Sequence, residues 1–178
     1  MKIEDNELRM RMINSVIPQD LTDKEVLDIG CNRGNYAIEC AKRMAAVKAI
    51  DIDYDDVQIA TQKAESSGLK INFICSDLYS LDAEEKEYDI VLFLGMLYHM
   101  KHPLKALEII SGLTKDLLIL ESHYIKSKTQ LPIMQFYPKD ELDGNFTNCW
   151  GPNLSCIMEM VKSVGFREVE IIAIWGDD

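Results

Sequence analysis

The sequence alternates between two hydrophobic periods, and that alternation limits the folds open to it more than any other feature. Val26–Ile29, Ala46–Ile50, Ile71–Ile74, Ile90–Leu94 and Leu117–Leu120 are short, nearly unbroken apolar runs. Runs of four or five Val, Ile and Leu suit strands covered on both faces. Between them, Val57, Ala60 and Ala64, then Leu104, Leu107 and Ile110, repeat at helical spacing, and Leu154, Ile157, Met158, Val161 and Val164 make a late apolar stripe. Pro103 marks a helix start, Asn153 an N-cap and Gly165 a C′ position. Strand–helix alternation predicts an α/β fold: a Rossmann-like, doubly wound, mostly parallel sheet flanked by helices.

At 178 residues the chain is expected to form one domain, residues 1–178. Residues 1–20 read as a helical extension ahead of the first strand. Residues 122–152 hold five aromatics and three prolines but no clean period, and they follow the fifth strand, on the side where open α/β sheets bind ligands.

Composition narrows the function. Nineteen basic against thirty acidic residues give a net charge of −11, which makes broad phosphate contact, and so nucleic acid, a poor expectation. Residues 45–95 hold much of the excess, with eleven acids against four bases. Five cysteines without a C-x-x-C pair give no metal site and point to reduced thiols in a cytoplasmic protein. The first residues lack a signal-peptide core, and no apolar run spans a bilayer, so no membrane partner is expected.

The first strand runs into Asp28-Ile29-Gly30-Cys31-Asn32-Arg33-Gly34-Asn35-Tyr36 and then a helix. Gly30 and Gly34 allow a tight turn and close ligand approach, and the helix N-terminus adds positive potential. Asp51 ends the second strand, where an acid can grip both hydroxyls of a ribose. Asp77 follows the third, where it can accept from an adenine amino group. A nicotinamide-dependent oxidoreductase would want glycine where Asn32 stands, and Asp28 would repel a pyrophosphate. An amino group beside Asp28 fits better, which favours a nucleoside bearing an amino acid.

These segments resemble class I S-adenosylmethionine-dependent methyltransferases. Val26–Gly34 resembles the family's first motif, Ile50–Asp53 its ribose motif, Cys75–Leu78 its adenine motif and Tyr88–Val91 the start of its fourth strand. The resemblance implies S-adenosylmethionine held by Asp28, Gly30, Cys31, Asn32, Gly34 and Tyr36 at the turn, by Asp51 and Ile52 at the ribose, by Asp77 and Leu78 at the adenine, and by Gly95. Leu94–His99 resembles a subgroup that includes tRNA wobble-uridine carboxymethyltransferase-like proteins. The short N-terminal extension and acidic balance turn the expectation from that tRNA reaction toward a small-molecule or carbohydrate-like acceptor. The family's sheet usually has seven strands. Here Val169–Trp175 can form one and Gly176–Asp178 stops at the turn, so six are expected.

Methyl transfer is an in-line displacement in which the protein positions the acceptor and, for a hydroxyl or amine, takes its proton. His99 and His123 follow the fourth and fifth strands and are the expected catalytic histidines, with Tyr98 lining the acceptor pocket. His102 precedes Pro103 and reads as a helix cap, while Phe136, Tyr137 and Trp150 read as an apolar cover. A non-catalytic cofactor-binding domain is the remaining alternative. The sequence does not define an oligomeric state.

Overall fold

In the computed structural model of the protein, residues 3–81 and 87–174 are described, with side chains from Leu8 onward. Helix α1 (Ile3–Val16) precedes strand β1 (Glu25–Ile29). There follow α2 (Asn35–Lys42), β2 (Ala46–Asp51), α3 (Tyr54–Ser66), β3 (Asn72–Cys75), β4 (Tyr88–Leu94), α4 (Pro103–Leu113) and β5 (Thr114–Glu121). After β5 come two three-residue strands, β6 (Met134–Phe136) and β7 (Trp150–Pro152), and helix α5 (Leu154–Ser163).

Strands β1 to β5 form one parallel sheet in the order β3-β2-β1-β4-β5. The apolar runs become strands because both faces are covered. One face packs Leu27, Ile29, Val91 and Phe93 on α4 and α5. The other packs Val26, Val47, Ile90 and Leu92 on α1 and α2. All seven residues of central β4 are buried. Because the strands are parallel, their carboxyl ends share one edge, and the order reverses between β1 and β4. That crevice is where such sheets bind ligands.

The punctuation holds in part. Pro103 opens α4, Asn153 caps α5 by accepting from Cys156 N–H, and Gly165 follows the last turn with φ 114°. His102 occupies the cap position of α4, but its side chain caps nothing.

Six strands were expected in the sheet, and among the described residues five are found. Residues 169–174 take no regular structure, and Trp175 lies outside the described residues. Among the described residues, no backbone ladder joins this segment to β5. A cavity of about 440 Å³ stands between them.

Candidate functional site

The turn after β1 is pinned from below: Gly30 and Cys31 donate their N–H groups to Ile50 O at 2.9 and 3.0 Å. Gly30, Asn32 and Gly34 all have positive φ, and Asn is among the few residues with a Cβ that visit this region readily. A Cβ on Gly30 would run into the Met96 side chain, and one on Gly34 would lie 2.9 Å from Ala60 and Phe73. The turn therefore requires both glycines.

Asp28 is 2% exposed, yet its Oδ2 has no hydrogen-bond partner. Burial pushes its carboxyl up to about 7, against a lowering hydrogen bond from the Ala37 N–H, and the nearby charge of Asp51 adds to the rise. A buried acid with an orphan oxygen at a glycine turn fits a cationic ligand group, which would restore the lost solvation. This supports the ammonium of an amino-acid-bearing ligand at that point.

Asp51 is held from two sides, accepting from Asn32 N–H at 2.7 Å and from Asp53 N–H at 2.9 Å. Its remaining lone pairs stay open to hydroxyls. Ile52 beside it is 73% exposed, an apolar flank for a flat ring. Asp77 accepts from Tyr79 N–H at 3.0 Å and caps the 3-10 turn Leu78–Ser80. The Leu78 side chain is buried in the core, so only its backbone can meet a ligand. Cys31 is buried too, its thiol pushed far above the ordinary range first by burial and then by Asp28 and Asp51.

Two residues that the sequence reading missed complete the crevice. Arg9, on α1, donates to Glu121 Oε2 at the end of β5 at 2.8 Å, and its guanidinium lies 5.8 Å from the centre of the Tyr36 ring. A Cβ on Gly95 would sit 3.0 Å from Arg9 Nη2, 3.4 Å from Glu121 Oε2 and 3.7 Å from the Tyr98 hydroxyl. Arg9, Tyr36, Gly95, Tyr98 and Glu121 thus converge at the mouth of the turn. Burial raises the Tyr36 and Tyr98 hydroxyls above their usual range. A signal for Glu121 existed: it ends an apolar run as Asp51 does. Arg9 had none, since α1 stands outside the strand–helix alternation.

The two histidines differ. His99 Nδ1 lies 3.1 Å from both the carbonyl and the hydroxyl of Thr147, so this ring anchors the loop above it. His123 Nε2 is buried with no hydrogen-bond partner. Its ring lies 6.0 Å from Tyr98 and 6.5 Å from Tyr137, edge to face. Burial lowers both histidines below 6.5, opposed at His99 by Thr147 and at His123 by the charge of Asp143. The loop over them is fastened by Cys149 N–H to Tyr98 O and by Trp150 Nε1 to Met100 O, each at 2.9 Å. Phe136 and Trp150 pack 5.0 Å apart on the β6–β7 hairpin. Among the described residues, no cluster of three or more His, Cys, Asp or Glu is placed to hold a metal ion.

A carboxylate at the end of β2, another after β3, and an orphan acid beneath a glycine turn are an arrangement chemically suited to a nucleoside carrying an amino acid. The model of the family described as "Methyltransferase domain" matches residues 26–116, and the chain belongs to that family. The class and its cofactor, S-adenosylmethionine, therefore stand as expected from the motifs. The chain is 30% identical over 110 residues to the ubiquinone biosynthesis O-methyltransferase of Coxiella burnetii, covering 62% of this chain and 46% of that one. To the enzyme of the same name from Vibrio vulnificus it is 32% identical over 111 residues, 62% of this chain and 47% of that one. The chain thus spans under half the length of these curated relatives.

Among solved structures, the N-terminal domain of EvdMO1, crystallised in the presence of S-adenosylhomocysteine and D-fucose, superposes with a TM-score of 0.70 at 18% identity, covering 94% of this chain and 76% of that one. Magnesium protoporphyrin IX methyltransferase from Synechocystis, with bound S-adenosylmethionine, gives 0.63 at 22% identity, covering 93% and 68%. These likenesses show the fold. The curated relatives support the class and do not support the tRNA wobble-uridine subgroup.

Proposed function

We propose that the protein transfers a methyl group from S-adenosylmethionine to a hydroxyl of a small-molecule acceptor. The orphan Oδ2 of buried Asp28, set at the glycine turn between β1 and α2, carries this reading. The names of the curated relatives favour oxygen as the acceptor atom.

Each residue then has a task. Asp28 meets the cofactor ammonium, and Arg9, steadied by Glu121, faces the carboxylate. Gly30, Cys31, Asn32 and Gly34 shape the turn, and Tyr36 and Gly95 border it. Asp51 accepts from the ribose hydroxyls, Ile52 flanks the base, and Asp77 with the Leu78 backbone reads its amino edge. When bound, the cofactor supplies a methyl on a sulfonium whose leaving group is a neutral thioether. His123 takes the acceptor proton through its unpartnered Nε2. Tyr98 shapes the pocket, and His99 acts as a positioning residue for residues 122–152, the acceptor-side loop. The tRNA alternative would need a basic face, and the net charge of −11 disfavours one.

A labelled-methyl transfer assay on separate panels of phenols, sugars and tRNA tests the reading. Label on a small hydroxyl compound is the expected result. Label on tRNA alone would overturn the acceptor class.

A further inference from the structure

The two N–H groups that aim the Asp51 carboxylate lead back to one helix. Asp53 N–H donates to Oδ1 at 2.9 Å, and Asp53 is itself the N-cap of α3. Asn32 N–H donates to Oδ2 at 2.7 Å from the apex of the glycine turn. That apex is tied to α3 as well. Asn32 Nδ2 donates to Asp56 Oδ2 at 2.7 Å, and Arg33 Nε donates to Asp56 Oδ1 at 3.0 Å. Asp56 lies in the first turn of α3, where its own N–H donates to the Asp53 cap at 3.1 Å. One carboxylate thus holds two consecutive residues of the turn, one oxygen to each.

Stability alone does not call for this arrangement. The Arg33 side chain is 59% exposed, and an ion pair in such a place contributes little. The Asp56 side chain, by contrast, is only 18% exposed. Asn32 is exposed and has φ 48°, a conformation that asparagine visits readily but need not keep. Freed from Asp56, its N–H can turn to water, and Asp51 Oδ2 then loses one of the two bonds that set the carboxylate plane. A carboxylate already held in place loses less freedom on meeting a ligand hydroxyl than one that turns. We propose that Asp56 is a positioning residue for cofactor selection: through Asn32 it fixes Asp51, so that the site distinguishes a ribose from a deoxyribose. Both Asp56 oxygens are engaged by the turn, so it acts through Asn32 and not on the ligand. The inference rests on the assignment of Asp51 to the ribose and adds to it a residue outside the contact.

Titration of the full chain with S-adenosylhomocysteine and with its 2′-deoxy analogue tests the proposal. The wild type should bind the deoxy compound about tenfold or more weakly, as the loss of a hydrogen bond to a charged group implies. Asp56→Ala should keep its circular dichroism, bind S-adenosylhomocysteine about tenfold more weakly and discriminate between the two by about threefold or less. Asp56→Asn keeps an oxygen for the Asn32 amide and should stay within about threefold of the wild type. Asn32→Gly keeps the N–H and suits the positive φ, removes the same tether without altering α3, and should repeat the loss of discrimination. A folded Asp56→Ala or Asn32→Gly with full discrimination, or an Asp56→Asn as impaired as the alanine variant, overturns this inference and leaves the cofactor reading standing. A wild type that binds neither compound, or binds both alike, overturns the ribose assignment and this inference with it.

Discussion

At the residue scale the most consequential group is Asp28. Its folded carboxyl sits near 7, well above the unfolded value of about 3.9, because burial penalises the charge. Its contribution to stability is therefore fully present below about pH 4 and is lost as pH rises through about 7. The ligand-free protein should show a falling contribution to the melting temperature across that window, and Asp28→Asn should remove it. Ligand binding has the opposite slope. A cationic ammonium needs the ionised acid, so S-adenosylhomocysteine affinity should fall about tenfold per pH unit below about 7, and the asparagine variant should flatten that dependence. His123 gives a second residue-scale test. His123→Ala should lower kcat by roughly 10²–10⁴-fold, and in the wild type the acid limb of kcat should lie below pH 6.5, because burial holds the ring neutral. His99→Ala should act mainly on acceptor KM, since its ring holds Thr147 in place.

At the scale of elements, Asn153 ties α5 to the acceptor-side loop. It is buried, its Oδ1 accepts from Cys156 N–H at 2.8 Å and Ile133 N–H at 3.2 Å, and its Nδ2 donates to Leu131 O at 2.8 Å. Asn153→Ala removes a helix cap and strands two loop groups, a loss of about 2–3 kcal/mol in urea unfolding. Much of this level was legible in the sequence. Continuous apolar runs marked β1 to β5, and an N-cap asparagine marked α5, because burial and capping act through local residue types. The β6–β7 hairpin was not legible, since three-residue strands leave no period to read. The Arg9–Glu121 pair joins residues 112 apart, and only the tertiary fold brings them together. An Arg9→Met variant should weaken S-adenosylhomocysteine binding about tenfold, from the loss of a charged hydrogen bond.

At the scale of the whole molecule, the parallel sheet gathers the candidate carboxylates at one edge. Asp51 and Glu121 end β2 and β5, Asp77 follows β3, and Asp28 lies one residue before the end of β1. In the proposed reading the acidic excess of residues 45–95 divides between cofactor duties and a solvated face. The sixth strand was misread because Val169–Ile174 has strand composition, while pairing depends on a neighbour that composition cannot supply. The central claim is that this edge holds S-adenosylmethionine. Titration calorimetry with S-adenosylhomocysteine, set beside a nicotinamide dinucleotide, measures it directly. The account predicts one adenosyl site per chain, no heat from the dinucleotide, and affinity lost by at least about tenfold in Asp51→Ala. Binding of the dinucleotide alone, or an Asp51→Ala protein that binds S-adenosylhomocysteine like the wild type, would contradict it.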